Sequence, residues 1–274
     1  MKIYKKKLNP VLSRRISLFS AVVMVLSAAV VFQSVTAGVF AAKLASSDAI
    51  NWGVYYPSEN SLPIGNAPNE TLKEHSACFY DDSGEKCVYL TFDAGYENGY
   101  TQAILDALSE KGVKAAFFLT GNYFKDASDM VVKMKEGGHL VCNHTMTHPD
   151  ATKLTQSQFD SQLKETKAAC SEKCGVVMDD YFRPPSGIFN YKTLDMAAQL
   201  GYKSILWSVA YMDYDNANQP SHASALSTLK ARTHPGAIVL LHSTGKTNSE
   251  ILGEYIDYLK GEGYVFKTLE EYPW

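Results

Sequence analysis

From Lys86 onward, short apolar runs alternate with amphipathic stretches, and this alternation constrains the fold more than any other feature of the sequence. Apolar runs bounded by turn residues predict strands, and apolar residues at three- and four-residue spacing predict helices. Strands separated by helices imply a parallel sheet. We therefore predict the α/β class, with a barrel or distorted (β/α) barrel. The predicted strands are 87–92, 115–120, 139–142, 181–183, 204–209, 237–242 and 264–268, and the predicted helices are 100–111, 127–136, 155–174, 191–200, 223–232 and 249–261.

One domain of barrel size accounts for most of the chain. Its 274 residues, 46% of them hydrophobic, are enough to bury a full core. We assign residues 76–274 to this domain. Residues 43–75 are polar and rich in turn formers such as Pro57, Pro63 and Pro68, so we predict a linker or a strap with little regular structure.

The N-terminal segment, residues 1–42, has the pattern of an export signal. Six basic residues and no acidic residue accompany an apolar run from Ile16 to Phe32, and small residues follow at 37–42. Two outcomes remain open, cleavage near Ala41 or Ala42 and retention as a membrane anchor. Both place the catalytic domain outside the cytoplasmic membrane.

The charge of the chain is unevenly distributed. Without the six basic residues of 1–42, the chain has 26 − 6 = 20 basic residues and 29 acidic residues, a net charge of −9. Such an acidic body argues against a nucleic acid or an anionic membrane surface as its partner.

The five cysteines cannot all pair within one chain, because their number is odd. Cys78 and Cys87 flank a turn-rich segment and could form a hairpin disulfide. Cys170 and Cys174 are spaced as neighbours on a helix, with metal binding as the weaker alternative. Cys142 lies in an apolar run and is predicted to be a buried thiol.

Two polar clusters carry acid and imidazole groups. Asp93 closes an apolar run, where a carboxylate either serves the chemistry of a site or caps the next helix. His144 and His148 are four residues apart after another apolar run, so both rings could face one Zn²⁺ ion if the residues between them form a helical turn. Thr145 and Thr147 could then support them by hydrogen bonds.

Three further clusters supply an arginine, a histidine and an acid. Arg183 precedes a stiff Pro-Pro-Ser-Gly turn and could bind a carboxylate through two hydrogen bonds. His242 ends the most apolar run, and a histidine there is either a core residue or a general acid. As its orienting partner we favour Asp213 over Asp215.

Together these clusters resemble the polysaccharide deacetylases of carbohydrate esterase family four, the NodB-like fold, over residues 86–269. The resemblance implies a distorted (β/α) barrel and hydrolytic removal of acetyl from N-acetylated glycans. It implies that Asp93 is the general base paired with Arg183, and that Asp213 orients His242, the general acid. It further implies His144 and His148 as metal ligands, the Ser186 N–H as oxyanion donor, and Leu240 and Tyr214 at the acetyl pocket.

The sequence departs from the family pattern at Ala94. Members usually carry two consecutive aspartates here, and the second one ligates the metal. Alanine has no donor atom, so the third ligand is missing or comes from Asp93, Asn98 or water. We expect a divalent metal, zinc first, bound more weakly than usual. Tyr214 stands where the family more often has tryptophan.

A narrower resemblance, carried by residues 91–99, 143–149, 206–211 and 234–238, is to the delta-lactam-biosynthetic de-N-acetylases. It implies deacetylation of N-acetylmuramic acid in peptidoglycan without peptide stems, leading to muramic delta-lactam in the spore cortex. The expected partner is then a peptidoglycan strand, and we expect a monomer, exported to the cell wall or the space between the forespore membranes. The alternatives are a deacetylase of another N-acetylated glycan, such as chitin, and a glycan-binding protein that has lost catalysis.

Overall fold

The computed structural model of the protein describes residues 48–274. The predicted export signal at 1–42 lies outside these residues. Within the described part of the chain, no helix combines the length and the apolar character needed to cross a membrane.

Twelve strands and eight α-helices are found within residues 48–274. The strands are β1 (Ile50–Asn51), β2 (Val54–Tyr55), β3 (Ile64–Gly65), β4 (Ala77–Cys78), β5 (Cys87–Ala94), β6 (Ala116–Leu119), β7 (Leu140–Asn143), β8 (Tyr181–Phe182), β9 (Ile188–Phe189), β10 (Lys203–Ile205), β11 (Ala237–His242) and β12 (Val265–Phe266). The helices are α1 (Asn69–Glu74), α2 (Thr101–Glu110), α3 (Tyr123–Asp126), α4 (Ser128–Glu136), α5 (Gln156–Cys174), α6 (Tyr191–Gln199), α7 (His222–Arg232) and α8 (Lys246–Gly261).

The main sheet is parallel and curls into a distorted barrel, as predicted. Its strand order is β11-β5-β6-β7-β8-β10-β4, and β12 joins the start of β5. Beyond β10, Val209 forms a bridge with Val239 of β11, so the two sides of the curled sheet meet. Every residue of β5 is buried, which explains its continuous apolar run, because a parallel strand has both faces covered.

Helix ends follow local sequence signals. Helix α5 begins with a capping box, in which the Thr155 hydroxyl accepts from the Gln158 N–H and the Gln158 side chain accepts from the Thr155 N–H. It ends at Gly175, whose φ of 67° is a left-handed conformation that glycine adopts without strain. These two signals place α5 close to the predicted 155–174.

Residues 50–65, which we call the strap, hold more regular structure than predicted. They contain β1 and the β2–β3 hairpin, and α1 follows them. The Trp52 indole donates to the carbonyl of Trp207 at 2.9 Å, and the Tyr56 hydroxyl donates to the carbonyl of Ser208 at 2.9 Å. Strands of two residues carry no periodicity, so these contacts, and not a local pattern, order the strap.

All five cysteines lie within the described residues and are free thiols. The alternative of a Cys78–Cys87 disulfide is therefore not found, and the Cys87 thiol donates instead to the Asp81 carboxylate. Cys142 is buried, as predicted. Cys170 and Cys174 are neighbours on α5, as their spacing indicated.

Candidate active site

The predicted acid and imidazole groups meet at the carboxyl ends of the parallel strands. Asp93 lies in β5, His242 ends β11, and the parallel register places these two residues opposite each other. His144 directly follows β7, and Arg183 directly follows β8. A pocket of about 320 Å³ at this edge is lined by Asp93, His144, His148 and His242.

Arg183 is completely buried and holds Asp93 in place. Its NH1 donates to Asp93 Oδ1 at 2.7 Å, and its NH2 donates to Thr91 Oγ1 at 2.9 Å. Its guanidinium also lies 4.2 Å from the centre of the Phe118 ring. Burial of Asp93 acts to raise the pKa of its carboxyl, but the charges of Arg183, then His144 and His242, outweigh burial and lower it. Asp93 is therefore an ionised carboxylate.

His144 presents a free ring nitrogen to Asp93. Its Nδ1 lies 2.9 Å from the carbonyl of Arg183, and a carbonyl only accepts, so Nδ1 carries the proton. The opposite nitrogen, Nε2, lies 3.6 Å from Asp93 Oδ2. Burial lowers the pKa of His144 to about 4, and burial also lowers the pKa of His148. Both rings are accordingly neutral near pH 7, with centroids 4.8 Å apart.

The turn that brings the two histidines together is not helical. Thr145 and His148 both adopt positive φ, at 67° and 57°, which non-glycine residues rarely do. Asn143 Oδ1 accepts from the Thr145 N–H, and Thr145 Oγ1 accepts from the His148 N–H. Thr145 therefore supports the turn, whereas Thr147 bonds the Gln162 side chain outside the pocket.

His242 is paired with Asp213, and the exposed Asp215 bonds within its own loop. His242 Nδ1 lies 2.8 Å from Asp213 Oδ1, and the His242 N–H donates to Asp213 Oδ2 at 2.7 Å. Burial alone would lower the pKa of His242, but the hydrogen bond and charge of Asp213, and then the charge of Asp93, outweigh burial and raise it.

A buried asparagine, Asn248 of α8, forms hydrogen bonds with both members of this pair. Its Nδ2 donates to Asp213 Oδ2 at 2.6 Å and to the carbonyl of His242 at 3.0 Å. The Tyr211 hydroxyl donates to Asn248 Oδ1. We identify Asn248 as a positioning residue that sequence reasoning missed, because it lies 35 positions from Asp213 and shares no local pattern with it. Thr91 was seen in its cluster, but its contact with Arg183 was not foreseen.

The remaining predicted residues do not line the pocket. Ser186 has a positive φ of 55° in a short 3₁₀ turn. Leu240 is buried two positions before His242, on the same face of β11. Tyr214 is 60% exposed, with its ring centre 6.0 Å from that of His242. Asn98, one alternative third ligand, donates to the carbonyl of Thr244.

The donor set for a metal is incomplete. His144 and His148 offer two imidazole nitrogens, and the pocket position of Ala94 offers none. Among residues 48–274, no group of three or more histidine, cysteine, aspartate or glutamate side chains is arranged to hold a metal ion. Catalytic zinc sites use three protein ligands, so the described residues do not fit such a centre.

Comparison with known proteins places this geometry in a family. The model of the family described as "Polysaccharide deacetylase" matches residues 80–205. The chain is 36% identical to the peptidoglycan-N-acetylmuramic acid deacetylase PdaA of Bacillus subtilis over 236 residues, 85% of this chain and 89% of the relative. It is 37% identical to a chitooligosaccharide deacetylase of Rhizobium leguminosarum over 165 residues, 60% of this chain and 75% of the relative.

A solved structure supports the same likeness. The structure of Bacillus subtilis PdaA, described as a family 4 carbohydrate esterase, superposes with a TM-score of 0.79 at 35% identity. The match covers 83% of this chain and 97% of that one.

Proposed function

The chain belongs to the polysaccharide deacetylases of carbohydrate esterase family 4, and from this membership we propose that it removes acetyl from N-acetylmuramic acid in peptidoglycan without peptide stems. The observation that carries the reaction is the presence at one pocket of two pairs, Asp93 with Arg183 and His242 with Asp213. The choice of sugar is supported by the similarity to PdaA over 85% of this chain.

In the proposed mechanism, Asp93 acts on the attacking water. The free oxygen Oδ2 of Asp93 borders the pocket, and Arg183 keeps the carboxylate ionised through Oδ1. A water hydrogen-bonded to Oδ2 gives up a proton to it while attacking the acetamide carbonyl. The neutral rings of His144 and His148 line the same pocket.

His242, the neighbour of Asp93 on the adjacent strand, completes the reaction. Its raised pKa keeps a proton available, and it donates that proton to the leaving sugar nitrogen as the C–N bond breaks. The products are acetate and the free amine. The Ser186 N–H is proposed to stabilise the oxyanion, a contact whose loss typically costs ~2.7–4 kcal/mol.

A metal ion enters no step of this proposal, because the described donors do not fit one. Members of the family are generally metal-dependent. Zinc in this protein remains a prediction, and we expect weak binding through His144 and His148. Titration of the metal-free enzyme with Zn²⁺, followed by both bound metal and acetate release, measures that affinity.

We further propose that the protein acts after export, in the cell wall or the forespore intermembrane space, with the product leading to muramic delta-lactam in the spore cortex. The basic and apolar pattern of residues 1–42 supports export. The acidic net charge of the remaining chain is compatible with a glycan partner.

The decisive experiment is mass spectrometry of peptidoglycan treated with the enzyme. Strands with and without peptide stems are incubated with the protein, with a chelator or with added Zn²⁺, and acetyl loss is assigned to each sugar. We expect acetyl loss from muramic acid in stem-free strands. Loss from glucosamine instead would support the second candidate, a deacetylase of N-acetylglucosamine glycans, which the similarity to the chitooligosaccharide deacetylase favours. Binding without any acetate release would support a decayed glycan-binding protein.

A further inference from the structure

A second, larger cavity lies beside the pocket of Asp93. It is a groove of about 860 Å³ between the strap and helix α7, and neither Asp93 nor His242 lines it. Its volume falls within the range of about 300–1,000 Å³ that is usual for ligand sites. The aromatic side chains that line it are Tyr55, Tyr56, Trp207 and Tyr211.

The segment 207–213 lines the groove and contacts residues of the catalytic site, although it does not itself line the catalytic pocket. Met212 lines the groove, and the next residue, Asp213, holds His242. The Trp207 ring, which also lines the groove, lies 5.8 Å from the guanidinium of Arg183. This segment therefore links the lining of the groove to the residues that hold the catalytic groups.

The groove contains a cation, Arg232, that has no acidic partner among residues 48–274. The Arg232 guanidinium lies 4.7 Å from the centre of the Tyr56 ring, and its NH1 donates to the carbonyl of Ala210. Among residues 48–274, Arg183 is the arginine that forms a salt bridge. Arg232 therefore pairs with no carboxylate of the described residues. An arginine guanidinium has five N–H donors in a planar, forked arrangement. The Arg232 guanidinium is half-buried and stacked on Tyr56, so it is already oriented before a carboxylate binds.

The remaining charge in the groove is Glu59 of the strap. Its side chain is exposed, so solvent screens its repulsion of an incoming anion. The half-buried Arg232 guanidinium can hydrogen-bond an anion directly, and such charge-assisted hydrogen bonds are stronger than the screened repulsion from Glu59.

We propose that this groove binds a second muramic acid unit of the same glycan strand, and that Arg232 binds the free carboxylate of its lactyl group. This inference rests on the proposed function. Where a peptide stem is present, the same carboxylate is consumed in an amide bond and carries no charge. Arg232 thus favours strands without a peptide stem over strands that carry one. The aromatic side chains of the groove pack against the sugar rings.

The test measures binding in an Asp93→Asn background, so that the strands are not consumed. Stem-free glycan strands are compared by calorimetry with the same strands whose carboxylates have been converted to methylamides. We expect the free carboxylates to bind about tenfold tighter or more, which is the usual effect of one charge-assisted hydrogen bond. Arg232→Gln abolishes this preference and leaves the affinity for the amidated strands unchanged.

Lys230→Gln is the matched control. It removes one positive charge from the same helix, but Lys230 pairs with Glu254 and does not line the groove. We expect it to keep the full preference. Ser224→Trp is a second variant, since Ser224 is an exposed lining residue and a bulky side chain there fills the groove while Arg232 stays in place. It should weaken binding of both kinds of strand.

An undiminished preference in Arg232→Gln, or an equal loss in Lys230→Gln, overturns the proposal. Acetate release by the protein with Asp93 intact tests the proposed function separately. If acetate is released from muramic acid but Arg232→Gln keeps the preference, the groove proposal fails alone. If muramic acid is not deacetylated while Arg232→Gln still abolishes the preference, the proposed function fails and the anion site stands.

Discussion

Replacing Asp213 with asparagine removes one negative charge from beside His242 and keeps the shape of the side chain. Asp213 Oδ1 lies 2.8 Å from His242 Nδ1, and Oδ2 accepts from the backbone N–H of His242 and from Asn248. Burial is the largest influence on the pKa of His242 and lowers it, and Asp213 supplies the largest opposing influence. In Asp213→Asn, burial therefore prevails and the pKa of His242 falls.

The expected loss follows from the role of the proton. With a lowered pKa, His242 is mostly neutral near pH 7 and cannot protonate the leaving amine, so kcat falls by about 10²–10⁴-fold, the usual contribution of a general acid. The basic limb of the pH profile moves to lower pH. The raised pKa of His242 also stabilises the folded protein below the unfolded value of about 6.5, and this contribution disappears as pH rises through the folded pKa. Asp213→Asn should lose it.

The assay is acetate release from stem-free strands between about pH 5 and 9, together with nitrogen NMR titration of His242. Asp215→Asn is the control, because Asp215 carries the same charge two positions away but accepts from Ala217 and Asn218 in an exposed loop. The reasoning fails if Asp213→Asn leaves the basic limb in place with little loss of kcat, or if Asp215→Asn gives the same change.

Three further changes test other parts of the site. Asp93→Asn should reduce acetate release by at least about 10²-fold, since it removes the general base; circular dichroism checks that the protein folds, and near-normal activity would contradict the assignment. Asn248→Ala should lower the free energy of unfolding in urea by about 1–3 kcal/mol and reduce kcat, because Asp213 loses a buried donor; unchanged values of both would remove its positioning role. Ala94→Asp should tighten Zn²⁺ binding in a competition with a coloured chelator, because it restores a carboxylate to the pocket; equal affinity would show that this position does not limit metal binding.

Apolar continuity and helical periodicity were sufficient to predict the barrel. The runs at 87–92 and 237–242 became the neighbouring strands β5 and β11, because strands covered on both faces are apolar along their whole length. The predicted strand 204–209 was too long, since β10 ends at Ile205 and the chain then forms a single bridge at Val209. The strap escaped prediction because its order comes from distant contacts such as Trp52 with Trp207.

In the site too, some features could be predicted from the local sequence and others could not. Asp93, His144, Arg183 and His242 each follow or end an apolar run, so their convergence could be expected from a parallel sheet. The hydrogen bonds of Asn248 could not, because they join residues 35 positions apart. The positive φ angles of the histidine turn could not either, because non-glycine residues rarely adopt them.

The parallel register that places His242 opposite Asp93 also bears on how such a protein changes its substrate. The separation of acid and base is built into neighbouring backbones of the sheet, so it does not depend on the loops that contact the sugar. A segment such as the strap, which holds no residue of the two catalytic pairs, is then free to diversify in sequence while the reaction chemistry stays intact. Descendants of one ancestral barrel could thus acquire different glycans by exchanging loops, without having to rediscover catalysis each time.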